Sequence, residues 1–523
     1  MNVIYVKQAL ILKEAKQVYK KLLVTDEEPM KSLYMIDIIQ RLGIENHFAE
    51  EIQAILQKQY IILNINPTDF VSSHEMYEFA LTFRLLRQGG HYVKPDLFDS
   101  LMSNKRSFRE KYGEDVKGLI AMHEASKLCI EGEDGLDDIG LLSSELLHEW
   151  LSRHQNQSEA IYVKNTLQYP LHYGLSRFMD KSIILSGLKA NNEWTCLEEL
   201  AKINSSIVRL MNQNEIIQVS KWWKDLEMAK EQKFAHYQPL KWYMWPMACS
   251  TDPSFSEQRI ELTKVISLVY VIDDIFDVHG TLDQLTLFTD TAKRWKLTGI
   301  EELPDFMKIC LSFTYKITND FAEKVYEKYG LNPIDTLKKS WIRYLNSVLK
   351  DAHWLNSGQL PKADEYLNNG MISPGVHVVL IHAFFLFDQT QEITKETLSI
   401  LDDDFPNIMY SIAKILRLSD DLEGDKSEDQ NGLDGSYLDC YMNEHQDISV
   451  EEVRKHVTNM ISSAWKCLNQ ESINPNPIFS LSFTKFCVNI ARMVLLMYRY
   501  ESNPSVTNLQ EFVKSLVSGE PLE

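Results

Sequence analysis

Residues Ile266 to Ile272 form a mostly apolar run that passes directly into three carboxylates, Asp273, Asp274 and Asp277. Taken as a helix, the run is apolar on every side and has to be buried all round. Withdrawing unpaired carboxylates from water costs several kcal/mol each, so a cation has to meet them. Asp273 and Asp277 are four residues apart, which on a helix places them on one face, one turn apart. Two oxygen donors at the mouth of an apolar core suit a hard divalent cation such as Mg2+. The competing interpretation is a solvated acidic helix end, and the apolar lead-in argues against it.

At 523 residues the chain is long enough for two or more domains with a large core. Its 54 Lys+Arg against 74 Asp+Glu give a formal net charge of -20, which opposes binding to nucleic acid or anionic membranes. An anionic substrate therefore needs metal ions or a local basic cluster. The seven cysteines are scattered, odd in number and without a C-x-x-C, as expected in a reducing compartment without a zinc or disulfide framework. Val3 to Leu23 has the pattern of an amphipathic helix, with no apolar signal core and no acid-poor transit segment. No apolar run approaches the ~20 residues that span a bilayer. These features point to the cytosol, with a plastid location the alternative if residues precede the present start.

Helical periodicity dominates, and Gly (20) and Pro (16) are sparse enough for long helices joined by short loops. The expected fold is all-α, in two helical domains, 1–202 and 203–523, divided where the pattern turns polar near residues 188–205. Phe83-Arg84-Leu85-Leu86-Arg87-Gln88 has helical spacing and a Gly89-Gly90 stop. Its two arginines are expected to pair with acids rather than to bind an anion. Trp222 and Trp223 are adjacent and cannot share a helix face, so one packs inward and the other against a neighbour. The aromatic segment Phe234 to Trp245 is either core or a surface that stabilises a cation. Met371 to Leu386 is an apolar helix interrupted at Pro374-Gly375, a break that kinks a helix and frees carbonyls. His377 and His382, five apart, are ordinary helix residues rather than a shared metal pair.

A second acidic stretch lies on a helix that Pro406 opens, Asn407 to about Glu423. Ile408, Ile412, Ile415 and Leu422 give it an apolar stripe. Arg417, Asp420, Gly424 and Glu428, spaced three, four and four, give it another face. Asp420 and Glu428 could hold a further hard cation, with room for water at Gly424. Arg417 would point its guanidinium fork at an anion sharing that metal. Alone, this stretch is more simply a solvated helix end. Two carboxylate pairs facing one another across a helical bundle, over an aromatic pocket, suit a diphosphate attached to a hydrocarbon.

These residues resemble the plant class I terpene synthases. Asp273-Asp274-Ile275-Phe276-Asp277 looks like their aspartate-rich motif. Asp420, Gly424 and Glu428 match the ligand positions of their second metal motif, and Arg417 matches their diphosphate-binding arginine. Trp245 matches an active-site tryptophan that stabilises carbocations, and Phe83 to Gln88 and Lys221 to Lys224 match further signatures. The resemblance implies a non-catalytic, relict α-barrel domain followed by a catalytic α-bundle. It also implies three Mg2+ per active site, with Mn2+ an alternative ion, held by Asp273, Asp277, Asp420, Gly424 and Glu428. Asp273, Asp277 and Trp245 would be catalytic, and His236, Asp273, Asp277, Arg417 and Asp420 would engage the substrate diphosphate.

Departures from the family pattern carry information too. An RRx8W motif near the start is missing. The usual RxR pair falls at His236 and Gln238, so His236 is the substitute donor when protonated. Gly424 stands where a hydroxyl ligand is usual, leaving that position to water. Tyr500 to Val506 lacks the aspartate-then-tyrosine pair of many cyclising members, and the segments from Gln238 and Gln430 are similar to the subgroup making acyclic terpenes. The implied activity is ionisation of farnesyl or geranyl diphosphate to nerolidol or linalool by a monomer that binds neither nucleic acid nor membrane. The alternatives are an acyclic olefin such as ocimene, myrcene or farnesene, a cyclic sesquiterpene, or a catalytically degraded synthase.

Overall fold

The computed structural model describes residues 2–24, 29–65, 75–96, 98, 105–155, 157–178, 194–226, 238–296, 298, 300–387, 393–403, 406–427, 435–473 and 479–501. Among these residues every regular element is a helix and there is no strand, as the periodicity predicts. The chain divides into two compact units, Met1–Val208 with Asn469–Pro477, and Arg209–Leu468 with Ile478–Glu523. The polar stretch 188–193 lies outside the described residues.

The first unit contains α1 (Asn2–Val24), α2 (Pro29–Leu42), α3 (Ala49–Ile65), α4 (Met76–Gln88), α5 (Lys105–Tyr112), α6 (Val116–Ser126), α7 (Asp134–Arg153) and α8 (Ser158–Gln168). Helix α4 starts at a capping box in which Glu75 and Glu78 satisfy one another's backbone, and it stops at Gly89 and Gly90, the latter at φ 85°. It packs on α6, and α6 on α7, through Phe83, Leu85, Leu86, Leu119, Met122 and Leu147, all at most 1% exposed. Both arginines of α4 are structural, as expected. Arg87 forks onto Glu133 at 2.6 and 2.5 Å and donates to the Val93 and Leu128 carbonyls. Arg84 donates to Asp37 and, at 3.0 Å, to Gln88. Burying charge is tolerable here because every arm of each fork has a partner nearby.

Helix α9 (Thr195–Lys224) carries the chain into the second unit. There follow α10 (Pro239–Cys249), α11 (Ser256–Asp274), α12 (Leu282–Arg294), α13 (Asp305–Tyr329), α14 (Ile334–Ser357), α15 (Ala363–Gly370) and α16 (Val376–Phe387). The unit continues with α17 (Lys395–Asp403), α18 (Asn407–Ser427), α19 (Tyr437–Glu444), α20 (Val450–Ser472) and α21 (Leu481–Glu501). Helix α18 runs past the predicted end near Glu423. Trp223 is the inward member of its pair, 4.5 Å from Trp242 between ring centroids, while Trp222 lies under the Lys264 ammonium at 5.7 Å.

Helix α11 is buried nearly all round: Leu262, Val265, Ile266, Leu268, Val269, Val271 and Ile272 are each at most 5% exposed. Side chains of this kind contribute roughly 1.5–3 kcal/mol each when fully buried. The helix packs against α10, α13 and α16. Near its start, Arg259 forks onto Glu215 at 2.9 and 2.6 Å and donates to the Ser250 and Asp252 carbonyls. The interruption at Pro374-Gly375 is more than the expected kink, because α15 ends at Gly370 and α16 begins anew at Val376. Gly375, at φ 69°, joins them. A Cβ there would come within 2.7 Å of Val269 on α11, so only glycine lets the turn lie this close.

His377 and His382 are buried members of α16 and serve its packing, as expected. The Nδ1 of His382 donates to the Val378 carbonyl at 2.8 Å, its Nε2 has no partner, and its ring meets Phe321 and Trp341 edgewise. Burial lowers its pKa from the ordinary 6.5 to about 4. The unfolded chain therefore takes up this proton first as pH falls. The associated stability is complete above about pH 6.5 and is lost between there and pH 4, at about 1.4 kcal/mol per pH unit for one proton. Urea unfolding between pH 7 and 4.5 should accordingly show a shallower acid slope, by up to one proton, for His382→Phe than for the unaltered protein.

Candidate active site

Helix α11 delivers Asp273 and Asp274 at its carboxyl end, after which Ile275–His279 form a π turn. Its wider i→i+5 closure includes Gly280 N–H to the Ile275 carbonyl at 2.8 Å. A wider turn advances fewer degrees per residue. Asp277 is therefore rotated back toward Asp273 compared with a continued α-helix, so the spacing of four keeps both acids on one side. Ile275 and Phe276, between them, are 1% and 7% exposed and anchor the turn in the core.

Asp273 is half-buried and accepts a hydrogen bond from the Tyr344 hydroxyl of α14. Burial pushes its pKa up to about 7; the Tyr344 bond opposes the rise, while Asp277 and Asp274 add to it. Asp277 sits at the exposed rim, yet it too is raised, by partial desolvation and by the charges of Asp274 and Asp351. Asp351, on α14, was not among the residues singled out by the sequence. It is raised by burial, against hydrogen bonds from Ser373 and Asn369, the latter at 2.6 Å, and against the charge of Arg417. This carboxylate thus couples to the Asp277 wall and to Arg417 alike. No spacing rule marks it, because its partners lie on other helices.

On α18, Arg417 donates through Nε to Asp421 at 2.9 Å and through Nη2 to Asp420 at 2.8 Å, with a second contact to Asp421. Asp421 in turn accepts from the Tyr366 hydroxyl and from the Tyr437 backbone N–H, both at 3.1 Å. Burial works against the charge of Arg417, and Asp421, Tyr366 and Asp420 more than restore it. The guanidinium therefore stays protonated and fixed in orientation. Gly370, ending α15, makes room for its stem: a Cβ there would fall 2.7 Å from the Arg417 Cδ. Asp421, Tyr366 and Gly370 are further positioning residues that the spacing of α18 alone did not reveal.

Trp245 on α10 lies against α11, where its Nε1 donates to the Tyr270 hydroxyl at 3.1 Å. The Lys241 ammonium stands 4.9 Å from the Tyr270 ring centroid and lowers the pKa of Asp273. The tryptophan thereby joins the same face of the bundle as the aspartates. Gly424 lies within α18. His236 and Glu428 lie outside the described residues, as does the loop after Glu501.

Among the described residues no three His, Cys, Asp or Glu side chains converge as a complete metal cage. Asp273 and Asp277, both oxygen donors with raised pKa values, are of the kind that holds Mg2+, commonly bound by one or two carboxylates together with substrate phosphates and water. The fit is strengthened by carboxylates whose charge is opposed by burial and by one another, since a dication would relieve both.

The model of the terpene synthase family metal binding domain matches residues 224–467, and that of the terpene synthase N-terminal domain matches residues 4–171. A Glycine max protein named neryl diphosphate diphosphatase, chloroplastic, is 65% identical over 517 residues, covering 99% of this chain and 96% of its own. An (E)-nerolidol synthase of Cannabis sativa is 44% identical over 492 residues, covering 93% of this chain and 88% of its own. Among solved structures, isoprene synthase from grey poplar leaves (Populus x canescens), in complex with three Mg2+ ions and dimethylallyl-S-thiolodiphosphate, matches with a TM-score of 0.90. It is 29% identical, and the match covers 100% of this chain and 98% of that one. With both domains matched in order and relatives of this identity along nearly its whole length, the chain belongs to the terpene synthase family.

Proposed function

We propose that this terpene synthase ionises a ten-carbon prenyl diphosphate, geranyl or neryl, and captures the cation with water as an acyclic alcohol. The observation that supports the ionisation chemistry is the position of Asp351, which couples to Asp277 beside Asp273 and to the Arg417 guanidinium that Asp420 and Asp421 hold in place. The soybean relative is named for removing diphosphate from a neryl ester and the hemp relative for making nerolidol. Both names support water capture over ring closure. The soybean name also supports a ten-carbon substrate and a plastid location over the farnesyl substrate and cytosol that the amino-terminal residues suggest. Farnesyl diphosphate conversion to nerolidol is the second activity, supported by the hemp relative.

Asp273 and Asp277 on one side, and Asp420 with Glu428 and water at Gly424 on the other, would hold Mg2+ together with the substrate diphosphate. When bound, the metal supplies Lewis-acid neutralisation of the departing diphosphate. Tyr344 orients the Asp273 carboxylate by donating to one oxygen. Arg417 would meet the diphosphate already fixed in orientation, because Asp421, itself held by the Tyr366 hydroxyl, and Asp420 take up its Nε and Nη2. Trp245, tethered through Tyr270, offers a ring face to the allylic cation without a nucleophile that could trap it.

Purified protein given geranyl, neryl and farnesyl diphosphate with Mg2+ should release diphosphate and yield chiefly acyclic alcohols, with the ten-carbon esters turned over faster. Predominantly cyclic hydrocarbons in the product analysis would overturn the proposed outcome. EDTA should abolish release, and Asp273→Asn should lower kcat/KM more than 100-fold without loss of helical signal, beyond the 10–100-fold of a supporting contact. Tyr344→Phe removes the hydroxyl that donates to Asp273 and, at 3.2 Å, to the Val269 carbonyl. It should raise the half-saturating Mg2+ concentration by about 10–100-fold in the same assay.

A further inference from the structure

A cavity of about 150 Å3 lies inside the first unit, and none of its lining residues has been given a catalytic role above. Four helices wall it. Helix α2 supplies Asp37 and Arg41, α4 supplies Tyr77 and Arg84, α6 supplies Lys117 and Glu124, and α8 supplies Tyr162. Leu81, Ile120 and Ala121 complete the lining, and the volume is half the roughly 300 Å3 at the low end of pockets for drug-sized ligands, so the occupant has to be small.

The charges do not close on themselves. Asp37 is saturated: both its oxygens accept from Arg41 Nε, at 2.9 and 3.0 Å, and it also accepts from Arg84. Burial works to raise its pKa, and the two guanidinium groups together hold it below the ordinary value. Glu124 accepts from the Leu171 N–H at 2.7 Å, and burial, over the pull of Arg41 and Arg84, pushes it toward the neutral form. Three cations, Arg41, Arg84 and Lys117, thus meet one firmly ionised carboxylate and one whose charge is disfavoured.

Donors are in surplus as well. Among the described residues, neither terminal amino group of Arg41 has a hydrogen-bond acceptor, nor do the hydroxyls of Tyr77 and Tyr162. Lys117 stands at the exposed edge with its ammonium 3.8 Å from the Tyr77 ring centroid. A planar guanidinium edge beside two phenols and an ammonium is chemistry suited to a compact oxyanion.

We propose that this cavity binds a small phosphate-type oxyanion, gripped by Arg41 with the Tyr77 and Tyr162 hydroxyls and capped by Lys117. Free inorganic phosphate and the diphosphate set free by prenyl-ester ionisation share this chemistry. Only the second would make the site a sensor of product.

Calorimetric titration of the full chain in EDTA, first with sodium phosphate and then with sodium diphosphate, tests the site. Saturable binding is expected, and it should weaken about tenfold or more in the Tyr77→Phe/Tyr162→Phe protein, which loses only two unpartnered hydroxyls. The double variant should keep its helical signal and its turnover of prenyl diphosphate, which separates this site from the catalytic one. Tighter binding of diphosphate identifies product as the occupant, and tighter binding of phosphate identifies the free ion. Should the double variant unfold, each single Tyr→Phe protein serves for the same comparison. Absence of saturable binding by either anion, or equal binding by the folded double variant, overturns the proposal.

Discussion

A carboxylate at the end of an apolar helix, whose charge burial opposes more than its partners restore it, is the condition around which the second unit is arranged. Asp273 stands where burial disfavours its charge, and the phenol of Tyr344 compensates only part of that cost. Asp277, Asp274 and Asp351 deepen the negative field instead of relieving it. The protein can carry this unfavourable local charge because α11 is so thoroughly packed. A helix whose flanks are all core has stability to spare at its tip.

Elsewhere the protein buries charge in a different way. Arg87 with Glu133 and Arg259 with Glu215 are closed arrangements in which every fork is matched and backbone carbonyls absorb what remains. Such pairs hold geometry more than they add net stability. Arg417 is of an intermediate kind: Asp420 and Asp421 restrain it, but it also feels Asp351 across the fold. Fixing a guanidinium before the ligand arrives lowers the ordering cost of binding.

Local features of this molecule were legible in its residues, and long-range ones were not. The Gly89-Gly90 stop, the structural pairing of Arg84 and Arg87, the burial of α11 and the unequal packing of Trp222 and Trp223 follow from spacing and composition. Asp351 and Tyr344 sit on α14 and Tyr366 on α15, and each matters through a partner tens of residues away. No periodicity along one helix can announce such a contact. The break at Pro374-Gly375 was visible, but its role as a close-packing point against Val269 needed three dimensions. The extension of α18 beyond Glu423 was missed because its polar end looks like a helix already dissolving into solvent.

The π turn after Asp274 bears on how this acidic motif can vary. Ile275 and Phe276 hold the turn as apolar pegs, Phe276 meeting Phe288 edgewise with ring centroids 6.0 Å apart. The aim of Asp277 is therefore set by the grip of two greasy neighbours as much as by its own position in the chain. Small or polar residues at those pegs would leave both acids present and free the backbone to rewind as an ordinary helix, carrying Asp277 out of line. The intervening letters of the motif are thus its alignment gauge, and variation there would alter the separation of Asp273 and Asp277 while leaving both acids in place.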